Sequence, residues 1–302
     1  MRRSLFKPYL AIVIGVIAVS FSAILVRFSE APSGVIAFYR MLFSCLILLP
    51  FFLKSSIGGE MRRIDKRIWI LCIASGTFLA FHFILWFESL QFTSVANSTV
   101  LVTMQPVFAF LGTYFLFKER VSIGGCVSII VAITGSVLIS ASDFGHKDGA
   151  LLGDILALMA CGLATAYFLI GQIVRKDMGL TVYTFIVYGI STIVLLVYVW
   201  GSNQELLSYP KEEWYIFILL AIIPTLLGHS LFNWAIEWVS TTKISMAILF
   251  EPVGAAILAY YFFKEGISVI QLFGSALVLA GLSLFILMNK RSNVLDNNDI
   301  NY

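Results

Sequence analysis

The sequence predicts an all-α polytopic membrane protein whose ten transmembrane helices form two inverted five-helix repeats. Three observations carry that expectation. The 302 residues are 60% hydrophobic and 12% charged, with a mean hydropathy of +0.94, which is more apolar surface than one water-facing fold can bury. The apolar residues fall into about ten runs near the ~20-residue length that a helix needs to cross a bilayer. Finally, "VTMQPVFAFLGTYFLFKE" at 102–119 returns as "ILFEPVGAAILAYYFFKE" at 248–265, 146 positions on. Lipid leaves every backbone amide to find an internal partner, and spanning strands would alternate over ~10 residues, so runs of this length are read as helices.

The first repeat, 9–140, holds the runs 9–27, 33–53, 68–88, 95–117 and 121–140. The second, 151–288, holds 151–173, 182–200, 214–236, 243–263 and 268–288, and the polar stretch 289–302 is expected to be a disordered cytoplasmic tail. Basic residues ahead of the first run imitate a secretory signal. That run is too long, no small-x-small cleavage site follows and similar runs come after it, so it reads as a retained span. The second run carries Tyr39 and Arg40, and the third places Phe78, His82 and Trp86 on one face at four-residue spacing. The fourth and ninth contain the doubled phrase. In the fifth, Gly124, Ser128, Ala132, Ser136 and Ser140 make a small-residue stripe that admits a close helix, inside the monomer or across a homodimer. The eighth offers Pro224, Thr225, His229 and Asn233. Pro106, Pro224 and Pro252 are each expected to kink their helix, because proline lacks the N–H and crowds the carbonyl four residues back.

The doubled phrase aligns Pro106 with Pro252, Tyr114 with Tyr260, and Phe117, Lys118 and Glu119 with Phe263, Lys264 and Glu265. The register continues to Gly135 and Gly281, and "VIAFYRMLF" resembles "GLTVYTFIV" at a shift of 144, pairing Tyr39 with Tyr183. An odd number of spans per half turns the second copy upside down, the architecture of alternating-access carriers with a site at the repeat interface. With the N-terminus inside, fifteen basic residues fall on the cytoplasmic side; Arg27, Lys147, Lys211 and Lys264 fall outside, and Arg40 lies within a span. That asymmetry places both termini in the cytoplasm of a cell whose inner membrane holds the protein.

Two five-span halves, each with a proline-containing helix, "FKE" and a glycine-containing last helix, "GGCVSIIVAITGSVLI" and "QLFGSALVLAGLSLFI", resemble the EamA-like family of the drug/metabolite transporter superfamily. The resemblance covers almost the whole chain and implies ten helices, both ends cytoplasmic, and export or exchange of small metabolites, often amino acids or amphipathic compounds. The second half departs from the first by reading "KEGIS" for "KERVS", which agrees with a loop facing outside.

Ionisable groups inside spans are costly and mark pathways. Glu251, about eight residues into its span, is the first candidate: near midplane its carboxyl can take a proton from one side and release it on the other, against a bland reading as a quietly hydrogen-bonded acid. Gln105 is the equivalent that cannot titrate. Arg40 can attract an anionic substrate group or pair with Glu251, or else clamp helices together. His82, Trp86, Tyr39, His229 and Asn233 complete the candidate lining for substrate or proton.

No GxxxxGK[ST] loop or HExxH pair occurs, so neither ATP-driven pumping nor metal-dependent catalysis has support, and no cofactor or metal is expected. Cys45, Cys72, Cys126 and Cys161 lie inside apolar runs without a CxxC pair. A formal charge of +3 is too small for a nucleic-acid partner. The partners expected are a small-molecule substrate and the bilayer. An intramembrane enzyme would need a polar triad, and a receptor or scaffold a larger water-facing domain; the chain shows neither.

Overall fold

The computed structural model describes residues 6–54, 64–93, 95–118, 122–141, 150–264 and 268–298, and every regular element among them is helical. In chain order α1 is Phe6–Phe28, α2 Ser33–Lys54, α3 Lys66–Phe92, α4 Val95–Val102, α5 Gln105–Phe117, α6 Ile123–Ala141, α7 Ala150–Val174 and α8 Leu180–Gly201. Helix α9, Lys211–Leu220, runs into a π-helical segment, Ala221–His229, and then α10, Ser230–Ala235. Helices α11, Thr241–Ile248, α12, Glu251–Phe263, and α13, Val269–Asn298, complete the order. Among the described residues eight stretches are long and apolar enough to cross a membrane, and Ile123–Leu138 and Leu272–Phe285 are shorter apolar helices. The polarity is reversed relative to a water-soluble protein: Phe115, Ile130 and Tyr261 are exposed while Arg40 and Glu251 are buried. A hydrocarbon solvent accounts for that inversion, since it leaves outward apolar groups no reason to hide.

The doubled phrase folds into a doubled break. Helix α4 stops at Val102 and α5 starts at Gln105; 146 positions on, α11 stops at Ile248 and α12 starts at Glu251. The elements correspond residue for residue, as eight- and thirteen-residue helices in both halves. The kinks expected at Pro106 and Pro252 take the form of two-residue interruptions, 103–104 and 249–250, within stretches that each remain one apolar span, Ser98–Phe117 and Thr241–Phe263. Pro106 and Pro252 stand within the first turn of a new helix, where a missing N–H costs nothing because that donor has no intrahelical partner anyway. The far ends match as well: Lys118 and Lys264 end their helices in the left-handed conformation, at φ 58° and 56°. A non-glycine residue takes that conformation at a cost, and it does so at the same place in both repeats.

Helices α6 and α13, the last of each repeat, pack along their small residues. A Cβ on Gly281 would lie 2.6 Å from the Ala132 backbone nitrogen, and one on Gly135 would lie 2.5 Å from the Gly274 carbonyl oxygen. Ser128, Ala132 and Ser136 are buried in this seam. The middle of the stripe expected as a packing face, at Ser128, Ala132 and Ser136, thus packs against α13 within the chain. A small apolar cluster that includes Val100, Ile129, Met246, Val253 and Val278 ties the broken helices to the same pair. Helix α13 extends to Asn298, into the stretch 289–302 expected to be a disordered cytoplasmic tail. No glycine or proline follows Gly281, so nothing stops helix propagation. Residues 299–302 lie outside the described residues.

Candidate functional site

The two breaks open on one cavity. Its lining comes from both halves: Val19 and Ser22 of α1, Arg40 of α2, His82 and Trp86 of α3, Val102 and Gln105 at the first break, Phe168 of α7, His229, Phe232, and Ile248 and Glu251 at the second break. In this conformation the cavity is about 20 Å³, room for a water and not for a metabolite.

Arg40 is fully buried and is fixed by neutral partners. Its Nε donates to Thr225 Oγ1 at 2.8 Å, its Nη1 to Ser22 Oγ at 2.9 Å, and its Cζ lies 4.1 Å from the centre of the Phe83 ring. A desolvated cation over an aromatic face gains about 2 kcal/mol. Nη2 has no partner.

The local fold explains how Thr225 comes to hold a guanidinium. Pro224 lacks an N–H, so the Leu220 carbonyl, four residues back, loses its α-helical donor. Thr225 Oγ1 donates to that carbonyl at 2.9 Å, which leaves the hydroxyl oxygen's lone pairs for Arg40. The expected kink at Pro224 is accordingly a nine-residue π-helical segment, which ends at His229.

Glu251 is the first residue of α12 and is buried. It lines the same cavity as Arg40 without an ion pair between them. Helix α1 lies against this helix start, because Gly254 leaves room for Ser20, whose hydroxyl is 2.2 Å from where a Cβ would stand. That hydroxyl donates to the Val16 carbonyl at 2.9 Å and lies 3.5 Å from the Glu251 carbonyl oxygen. Gln105 occupies the matching helix start in the first repeat, buried, with Oε1 unpartnered.

His82 of α3 and His229 of the π-helical segment, 147 positions apart, meet across the cavity with ring centres 6.3 Å apart. His82 Nδ1 is 3.0 Å from the Ala160 carbonyl oxygen, and because a carbonyl only accepts, that nitrogen carries the proton. His229 stacks on Phe168 at 5.8 Å, with Nδ1 unpartnered. Trp86 lies against His82, and its indole Nε1 is buried without an acceptor.

Six of the eight residues expected as lining are therefore on the cavity: Arg40, His82, Trp86, Gln105, His229 and Glu251. Two are elsewhere. Tyr39 donates its hydroxyl to the Leu206 carbonyl and stacks on Phe217 at 4.9 Å, so it fastens α2 to the segment before α9. Asn233 sits behind His229, donating to that residue's carbonyl at 2.8 Å and to the Tyr167 hydroxyl. Ser22, Phe168 and Phe232 were not singled out from the sequence, where a serine or phenylalanine in an apolar span carries no signal of its own; the need of Arg40 for a buried acceptor was the one available clue to Ser22.

A helical bundle broken at corresponding points around a buried polar cavity is the arrangement of a membrane transporter. The chain belongs to the EamA-like transporter family, which it matches over residues 6–141 and again over 151–287. It is 26% identical over 259 residues to the uncharacterized transporter YxxF of Bacillus subtilis (strain 168), covering 85% of this chain and 82% of that one. It is 25% identical over 273 residues to an uncharacterized transporter of Archaeoglobus fulgidus, covering 90% and 93%. A protein crystal structure superposes with a TM-score of 0.73 over 94% of this chain and 98% of the other, at 16% identity, which is a likeness of fold.

Proposed function

We propose that the protein is a secondary transporter of the cell membrane, with ten spans and both termini cytoplasmic, that exports or exchanges a small organic metabolite such as an amino acid or amphipathic compound. The two inverted halves, 9–140 and 151–288, rock against each other around the cavity. What carries this reading is the convergence of two corresponding helix breaks on one cavity, with Gln105 at one and Glu251 at the other. A water-sized cavity walled by both repeats must widen when the repeats part, which is how alternating access admits a substrate. Glu251 is the coupling group. Its carboxyl takes a proton from one side and releases it on the other, and substrate competes with its charged form.

The test is Glu251→Gln, which installs the residue the first half already carries. Flux in proteoliposomes with and without an imposed pH gradient should respond to the gradient in the wild type. The glutamine variant should fold and bind, retaining at most downhill exchange. If the wild type ignores the gradient, or the variant follows it equally well, Glu251 is not the coupling residue.

A further inference from the structure

We infer that the cavity recognises its substrate by a carboxylate seated on Arg40 Nη2 and Trp86 Nε1, so that the substrate is an organic acid with an apolar body. This rests on the transporter reading and names the substrate class of that same site. Arg40 is 0% exposed and Trp86 3%; both line the cavity, and Arg40 Nη2 and Trp86 Nε1 are each buried without a hydrogen-bond partner. Buried donors are rarely left unpaired in a folded protein. Guanidinium and indole nitrogens can only donate, so the missing partner is an acceptor, and beside a cation a charged acceptor gains most. A carboxylate presents two oxygens, one for each of these donors from adjacent helices.

Two further features favour the same chemistry. Arg40 is already held on Thr225 and Ser22, so no rotamer freedom is lost when the third nitrogen is engaged. The thirteen-residue helix α5 starts at the cavity with Gln105, and its N-terminal end attracts negative charge. Val102, Phe168, Phe232 and Ile248 supply the apolar surface for the rest of the molecule. Glu251 is the competitor on this lining, because its carboxylate and the incoming one seek the same guanidinium. The other titratable groups facing Glu251 across the cavity are Arg40 on α2, His82 on α3 and His229 of the π-helical segment. Bound acid and charged Glu251 therefore exclude each other.

The experiment uses the full chain, purified in detergent and also in proteoliposomes, with benzoate, benzylamine, benzyl alcohol and phenylalanine as probes. Benzoate should raise the melting temperature saturably, and benzylamine and benzyl alcohol should not. Trp86→Phe keeps an aromatic side chain, though a smaller one, and removes the donor, and it should weaken benzoate about tenfold. Arg40→Lys keeps the charge and should weaken it as well. Rescue of the fold by the conservative variants separates recognition from stability, since both should melt close to the wild type without ligand. Stronger stabilisation by benzylamine, binding by phenylalanine but not benzoate, no benzoate binding, or unaltered benzoate binding in both variants would each overturn the carboxylate site. Saturable flux of benzylamine alone would keep the transporter and remove the carboxylate. Benzoate binding with no saturable flux of any probe would do the reverse.

Discussion

Arg40 shows how one residue's role depends on a backbone defect in another helix. The proline at 224 frees a carbonyl, Thr225 takes it, and the threonine oxygen then holds the guanidinium at 2.8 Å. Thr225→Val conserves shape but removes both bonds, at a cost of about 1–3 kcal/mol in stability. The same change should raise the apparent KM for transport about tenfold by letting Arg40 drift. Thr225→Ser restores a hydroxyl and should recover most of the KM, which concentration-dependent flux measurements will show. A valine variant with wild-type KM would mean that Arg40 is aimed without Thr225. The sequence made Arg40, Gln105 and Glu251 visible because polar groups inside apolar runs are costly and stand out. It misplaced Tyr39, since an amphipathic ring suits a cavity and a packing joint equally well, and only the position of Leu206 decided between them.

Among the elements, the π-helical segment and the small-residue seam each make a prediction. In Pro224→Ala a backbone N–H returns and can donate to the Leu220 carbonyl, so the π-helical turns can tighten to α. A tightened segment turns His229 relative to Thr225 by about 100° for each residue of register regained. Transport should fall steeply while thermal stability holds or rises, read from flux and melting curves on the same preparation. Gly281→Ala places a methyl group 2.6 Å from the backbone nitrogen of Ala132, where no side chain can move aside. Overpacking of this kind costs about 1–3 kcal/mol, so the melting temperature should drop by several degrees. An unchanged melt would show that α6 and α13 slide without cost. The breaks at 103–104 and 249–250 were legible as repeats of one phrase, yet the phrase looked like a kink because proline serves equally inside a bent helix and at the start of a new one.

For the whole molecule, the basic asymmetry predicts which loops face the cytoplasm. Asp177 and Asn203 are exposed at opposite ends of α8. On a background lacking the four native cysteines, Asn203→Cys should react with an impermeant thiol reagent in intact cells and Asp177→Cys should be protected. Labelling of both, or of Asp177→Cys alone, would reject the topology. By itself the sequence determined the solvent, the helical class, the doubled halves and the polar residues that belong to the interior. These follow from local quantities: hydropathy summed over a span, the period of a phrase, and the cost of a charge in lipid. Only the tertiary structure decided that Arg40 rests on Thr225, Ser22 and Phe83 and not on Glu251, that His82 and His229 meet, and that the small-residue stripe closes on α13. Contacts between residues so far apart in the chain depend on how helices rotate and cross, and those angles are set by the fit of every side chain in the bundle at once, which no single segment encodes.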